Sequence, residues 1–512
     1  MGRRQSERRT RRMLSGNQGF VQQPFKALRN PYPPMEIISA DQVESIHQAS
    51  LRVLRDVGIR VESETALRLL NDARADVDKD RRHVRFDPDL VEELISGLPE
   101  EFTIHARNPS KTVTMGKNSI VFATVTGPSF VTDMDRGRRA GTQQDMENFV
   151  RLSGSLNVFH HEGGSGLEPL DLPPATRHLE MMYAQVTLTD KGWQPCWMNT
   201  GERARDCIEM AKIALQTDDD GLRDKPAIIG GINTNTPLLL DEGQADAMRE
   251  FALAGQPVHI TPFTLAGAMA PATVAGAVTL QNAEVLGCIA LTQAAAPGSP
   301  TFYGHFTSNV DMRSGSPAFG TPEYAQSLIM SGQLARRYKL PLRSSNTTAS
   351  ACVDLQAVYE SDMSINACIQ AHVNNVMHAG GWLEGGLTCS FEKLILDAEL
   401  LQMQSAFLEP VIIDEDTLAF DAIEEVGAGG HYFGAAHTLE RYQDAFYQPI
   451  LSDWRNFETW RDDGGRTALD RANSIWKQLL RDYEKPPIDP ALEEELQAFM
   501  AKRKQEIQSK RA

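Results

Sequence analysis

Eight short apolar runs, separated for the most part by helical patterns, constrain this chain more than any other feature of its sequence. The runs are rich in Val, Ile and aromatic residues. They lie at Ser119–Val125, Asn157–His160, Gln194–Met198, Ala227–Ile232, Pro257–Thr261, Pro300–Phe306, Pro341–Ser345 and Asn374–Ala379. Helical periodicity fills Thr176–Thr189, Glu202–Gln216, Glu242–Ala254, Ala272–Ala294, Pro322–Tyr338 and Leu355–His372. This alternation predicts an α/β fold of the (β/α)8 TIM-barrel type. An open doubly wound sheet alternates too, but it usually ends at about five or six strands and carries a phosphate-binding glycine loop after the first. Gly127-Pro128 is not such a loop.

The barrel is expected over residues 119–438. Residues 1–37 read as a basic arm, 38–118 as an N-terminal helical cap and 439–512 as a C-terminal helical extension. In the cap, Asp41 is placed to start a helix carrying Val43, Ile46, Leu51 and Leu54; Gly58 ends it and Ser63 caps the next. Trp454, Trp460 and Trp476 are packing anchors of the tail, expected to close the barrel bottom or a subunit contact.

Composition narrows the function. The chain has 512 residues, 41% of them hydrophobic, enough for a large core. Its net charge of −17 argues against a nucleic-acid partner. Arg3, Arg4, Arg8, Arg9, Arg11 and Arg12 open the chain, but no apolar run follows, so the arm reads as neither a signal peptide nor a twin-arginine signal. No stretch reaches the roughly 20 unbroken apolar residues of a membrane span. Thr264–Ala296, interrupted by Gln281, Asn282 and Glu284, reads as a buried helix of a soluble protein. The six cysteines form no C-x-x-C pair, which fits a reducing cytoplasm.

In a (β/α)8 barrel the carboxyl ends of the strands build the active site. Here those ends carry small and uncharged polar residues, such as Asn199-Thr200-Gly201, Asn346-Thr347-Thr348 and Gly380-Gly381. His160-His161-Glu162 is the densest candidate metal cluster, but adjacent strand residues point to opposite faces, and no H-E-x-x-H motif occurs. No metal site, serine nucleophile elbow or phosphate cradle is therefore expected. What remains is a mouth with aromatics: Trp193, Trp197, Phe263, Tyr303, Phe306 and Trp382 lie in or beside strand ends. Such a lining suits a quaternary ammonium, held by cation–π attraction. Trp193, Tyr303, Phe306, Asn346 and Trp382 are the candidate substrate-binding residues. His305 and Glu384, titratable groups at strand ends, are the candidate catalytic ones.

Two stretches carry a family resemblance. They are Gly381-Trp382-Leu383-Glu384-Gly385-Gly386-Leu387-Thr388-Cys389-Ser390-Phe391-Glu392-Lys393-Leu394 and Glu425-Val426-Gly427-Ala428-Gly429-Gly430-His431-Tyr432-Phe433-Gly434. Arg107-Asn108-Pro109, Gly127-Pro128, His437-Thr438-Leu439 and a tail around Asp453-Trp454-Arg455 add to them. With these, the chain resembles the trimethylamine methyltransferase family from about Ile38 onward. The resemblance implies a barrel that passes a methyl group to the Co(I) corrinoid of a separate protein, holds no cofactor tightly itself, and forms a homo-oligomer. Archaeal trimethylamine enzymes of the family carry pyrrolysine in a stretch resembling Asn346 to Gln356, at or beside Ala351 here. Ala351 and Cys352 cannot form the adduct that activates a tertiary amine. The resemblance therefore points to the branch without pyrrolysine, whose substrate is a quaternary amine such as glycine betaine. Alternatives are another acceptor such as tetrahydrofolate, trimethylamine itself as donor, a methyl relay through Cys352, or a betaine-binding relic without catalysis.

Overall fold

The apolar runs pair as a parallel sheet. A computed structural model describes residue 20, residues 22–195 and residues 198–510; Cys196, Trp197 and most of the basic arm lie outside the described residues. Six strands are β1 (Ser119–Phe122), β2 (Gly230–Ile232), β3 (Val258–Ile260), β4 (Thr301–Gly304), β5 (Leu342–Ser345) and β6 (Asn375–Met377). Neighbours pair in parallel from β2 through β6, and β6 pairs with β1. Single-residue parallel bridges join Ala123 to His161, His161 to Gly192 and Trp193 to Ile228. The fold is mixed α/β. Two of the expected strands, Asn157–His160 and Gln194–Met198, are reduced to these bridges, and the second pairs earlier than expected. Pro195 has no N–H to donate, so pairing cannot continue through it.

A helix follows each of the eight positions in the sheet. They are α1 (Gln143–Ser155), α2 (Arg177–Leu188), α3 (Gly201–Leu215), α4 (Glu242–Leu253), α5 (Val274–Ala295), α6 (Pro322–Arg337), α7 (Leu355–Ala371) and α8 (Phe391–Phe407). Their starts are written in the sequence. Thr142, Thr200, Asp241, Thr273, Thr321, Asp354 and Ser390 each accept a backbone N–H of the first turn through the side chain. Such caps contribute about 1 kcal/mol each. Helix α5 is long and apolar enough to cross a membrane by composition, yet it is mostly buried against the cap helices, α4 and α6.

The cap is less purely helical than expected. Its helices Ala40–Arg52, Glu64–Asp72 and Pro88–Ser96 alternate with strands Ile59–Val61, Asp76–Asp78 and His83–Arg85. The first helix is capped by Ser39, in a reciprocal capping box with Gln42, and Asp41 sits in its first turn instead. Gly58 does end that segment, at φ 77, and Ser63 does cap the next helix. A hairpin, Glu101–Ile104 with Val113–Gly116, covers the amino ends of the strands. There Phe102, Ile104, Val113 and Met115 pack on Val121, Ile229 and Phe302 in a cluster of their own. The tail thus does not take that place. Its helix Ala468–Arg481 stacks Trp476 on Phe391 of α8 at 4.9 Å, and Pro490–Ser509 runs along α2 and α3.

Candidate active site

Alternation along β5 sorts its side chains between two environments. Ser344 points into the helix layer, where its Oγ meets His305 Nδ1 at 2.9 Å. Arg343 and Ser345 point the other way. Ser345 Oγ meets His378 Nδ1 at 3.1 Å, and Arg343 lies over the Phe306 ring, 5.5 Å from its centroid. His259 of β3 is held between Gln194 Nε2 at 3.1 Å and Thr261 Oγ1 at 3.0 Å. His161 Nε2 meets Asn375 Oδ1 at 3.0 Å. All three histidines are buried, and burial lowers their pKa first of all. Arg343 lowers that of His259 and His378 further. They are neutral hydrogen-bonding groups, and the guanidinium is the cation among them.

Beyond the carboxyl ends of β3, β4 and β6 the same side of the sheet turns aromatic. The Phe306 ring lies 5.5 Å from Phe263, 5.6 Å from Phe319, 5.9 Å from His378 and 6.0 Å from Trp382. Trp382 meets His378 at 4.3 Å and donates Nε1–H to the Thr348 carbonyl at 3.1 Å. That bond fixes the indole against the loop after β5. Aromatic pairs of this kind each add about 0.5–1.5 kcal/mol beyond the area they bury. Their π faces attract a cation without offering it a proton acceptor.

The structure brings only some of the expected residues to this place. Phe306 and Trp382 belong to it, with Phe263. Tyr303, two residues along β4 from Gly304's neighbour His305, turns outward and donates its hydroxyl to Asn282 of α5 at 2.9 Å. His305 turns outward as well, with Nε2 on Ser327 Oγ of α6 at 2.9 Å. Burial, followed by the Arg343 charge, pushes its pKa down to about 3. Trp193 is fully buried, and its Nε1 has no hydrogen-bond partner among the described residues. Asn346 donates Nδ2 to the Ala379 carbonyl at 3.3 Å, tying β5 to the end of β6. Glu384 pairs with Arg138 at 2.8 Å and accepts from Thr388 Oγ1. Partial burial raises its pKa, but the bonds from Arg138 and Thr388 outweigh that and hold it below the usual value. Its carboxylate clasps the loop after β6 to the strand Phe130–Thr132, whose ring lies under Arg138 at 3.9 Å.

Sequence reasoning missed Arg343, His378 and Phe319. Arg343 had a signal: a charged residue inside a strand run that must be buried on both faces. Phe319 had none, because it arrives from the loop after the hairpin strand Thr307–Val310.

The loop after β5 is ordered from below. Glu360 of α7 accepts from Thr348 Oγ1 and from the backbone N–H of Ala349 at 2.8 Å and Ser350 at 3.2 Å. Ala351 and Cys352 follow, both exposed. Desolvation and the neighbouring Asp354 raise the Cys352 thiol pKa, so it is not an activated nucleophile. Separately, a cavity of about 210 Å³ opens beside Thr307, Asn309, Val274 and Glu323. No aromatic ring lines it. Among the described residues no group of three or more His, Cys, Asp or Glu side chains is placed to hold a metal ion.

The chain is similar to several known proteins. The sequence model of the family described as trimethylamine methyltransferase (MTTB) matches residues 4–508, beginning well before Ile38. The chain is 40% identical over 479 residues to the glycine betaine methyltransferase of Desulfitobacterium hafniense strain Y51, covering 93% of this chain and 98% of that one. It is 26% identical over 454 residues to the trimethylamine methyltransferase MttB of Desulfitobacterium hafniense strain DSM 10664 / DCB-2, covering 88% and 90%. The crystal structure of Methanosarcina barkeri monomethylamine methyltransferase overlays with a TM-score of 0.47 at 11% identity, covering 87% of this chain and 93% of that one.

Proposed function

Because this chain belongs to the trimethylamine methyltransferase family, we propose that it moves a methyl group from glycine betaine, or a closely related betaine, to the corrinoid of a partner protein. The observation that carries this reading is the aromatic group of Phe263, Phe306, Phe319 and Trp382 at the carboxyl ends of parallel strands. We read the sheet as a (β/α)8 barrel: five parallel strand pairs and three parallel bridges support that reading. We place the enzyme in the cytoplasm, because its partner's Co(I) survives only in a reducing compartment.

A quaternary nitrogen leaves as a neutral tertiary amine once one N–CH3 bond is broken, so the substrate needs no prior protonation. The partner's corrinoid, as Co(I), supplies the nucleophile. The residues of this chain bind the ammonium, orient one N–CH3 bond outward and exclude water. Phe306 and Trp382 hold the methylated head through their ring faces. His305 and Glu384 act as positioning residues, one locking α6 onto β4 and β5 and the other locking the loop that carries Trp382. Four of the chain's thiols suit an external acceptor: Cys288, Cys368 and Cys389 are buried with raised pKa, and the Cys352 thiol pKa is raised as well.

The test is methylation of free cob(I)alamin by the purified protein, which requires no native partner. Glycine betaine should serve as donor and trimethylamine should not. Rapid demethylation of trimethylamine would overturn the assignment, and loss of betaine turnover in a folded Cys352→Ser variant would revive a thiol relay.

A further inference from the structure

Arg343 is a buried cation without an anion. It is 4% exposed. Its Nε makes no hydrogen bond, and its NH1 reaches only the His305 carbonyl, at 3.4 Å. No carboxylate stands within ion-pair distance of it among the described residues, and the titratable groups around it, His259, His305, His378, Tyr324 and Cys368, are all held neutral by burial. Burial pushes its pKa down to about 10, which still leaves it charged at neutral pH.

The rest of the chain treats buried cations differently. Lys393 is paired with Asp397 one helical turn away. Arg177 meets Glu168 at 2.8 Å. Lys191, which has no carboxylate, donates to the carbonyls of Ser153 at 2.6 Å and Leu156 at 2.8 Å. An unpaired buried charge is among the costliest features a fold can keep. Where one persists on the ligand-facing side of a sheet, the missing partner is expected in the ligand. Asn375, the direct cross-strand neighbour of Arg343, also has an unpartnered amide Nδ2 on that side.

We propose that Arg343 is the carboxylate anchor of the site: its guanidinium binds the substrate's carboxylate while the rings around Phe306 hold the methylated ammonium. This rests on the betaine reading above and adds a specificity-determining residue to it. A guanidinium presents parallel N–H donors that match a carboxylate in a bidentate fork. The Phe306 ring, already under that guanidinium, is shared by both ends of a ligand whose charges are one methylene apart. Selectivity follows from the same geometry. A cation lacking the carboxylate would enter beside an unneutralised positive charge and leave the guanidinium unpaired. Choline and the neutral-ended betaine amide are therefore excluded by the residue that welcomes glycine betaine. Sites built around a buried hydrogen-bonding group reject ligands that lack its partner far more strongly than apolar pockets reject a missing methylene.

Calorimetric titration of the wild-type protein with glycine betaine, betaine amide and choline tests this without any variant. The amide and choline should bind at least about 100-fold more weakly than glycine betaine, the scale of a lost charge-assisted bidentate contact. Arg343→Met should lose glycine betaine affinity by about 10- to 100-fold and leave choline unchanged or tighter, collapsing the preference. Arg343→Lys keeps the charge and serves if the methionine variant does not fold; it should retain preference for the carboxylate with reduced affinity. Equal wild-type affinity for glycine betaine and betaine amide, or equal loss of both in the folded variant, would overturn the proposal. Failure of the methyltransferase reading looks different: betaine would bind with the predicted preference, yet no methyl would reach cob(I)alamin.

Discussion

Two neighbouring residues of β4 and its extension, His305 and Phe306, stand on opposite sides of one backbone and lead opposite lives. On the helix side, His305 bonds Ser344 and Ser327, and Tyr303 bonds Asn282, so the polar atoms of both rings are paired within the chain. On the other side, Phe306 meets four rings and a guanidinium whose Nε is unpaired. Burial alone therefore does not mark a functional residue in this molecule, since Arg343 on one side and His305 on the other are both buried. A buried cation with neither a counter-charge nor a full set of hydrogen bonds does. His305, whose ring nitrogens are both paired internally, belongs to the scaffold, whereas Arg343, a charge left open, faces the aromatic group.

Acid should destabilise the fold from both sides, because His259 and His378 are held neutral by burial just as the scaffold histidines are. His160 and His305 are both pushed from 6.5 down to about 3, burial being the largest cause in each. A base held neutral in the fold but free to charge when unfolded contributes stability above pH 6.5 and loses it as pH falls toward 3. Each should cost about 2 kcal/mol of stability between pH 6.5 and pH 5. Denaturant titrations at the two pH values measure the sum, and a flat profile would contradict the buried neutral state.

His305→Ala removes a fully buried ring and its bonds to Ser344 and Ser327, which keep Tyr324 and the Thr307 carbonyl as partners, and should destabilise by about 2–4 kcal/mol in chemical denaturation. At temperatures where the variant is folded, its betaine affinity should stay within about twofold. Loss of binding without loss of stability would place His305 on the ligand side and break the comparison. Trp382→Leu should do the reverse, weakening betaine binding by about 1–2 kcal/mol through the lost ring face. The smallest effect belongs to Tyr303→Phe, which removes one hydroxyl from Asn282: about 1 kcal/mol of stability and no change in kcat.

Much of the fold was legible in the sequence because local rules agree with the global one. The helices that begin after Thr200 and Thr321 agree with the periodicity from Glu202 and Pro322, and six strand runs follow from apolar texture, whereas the helices after Thr142 and Ser390 were not read from the sequence. The site was less legible. Residue type picked out His305 and Tyr303, but the face each takes depends on strand phase, and a shift of one residue reverses it. Asn346 and Glu384 proved to be tied to backbone and to Arg138, partners distant in sequence. Phe319 reaches the cluster from a loop whose path no local signal records. Arg343 could have been found, since a charge inside a doubly buried strand is an anomaly that composition alone displays.

The most direct measurement is a structure of the protein with glycine betaine bound. The account predicts the trimethylammonium group against the faces of Phe306 and Trp382, on the side of the sheet away from His305 and Tyr303. Density for the ligand in the ring-free cavity beside Thr307 and Glu323, or against the His305 side of β4, would contradict it.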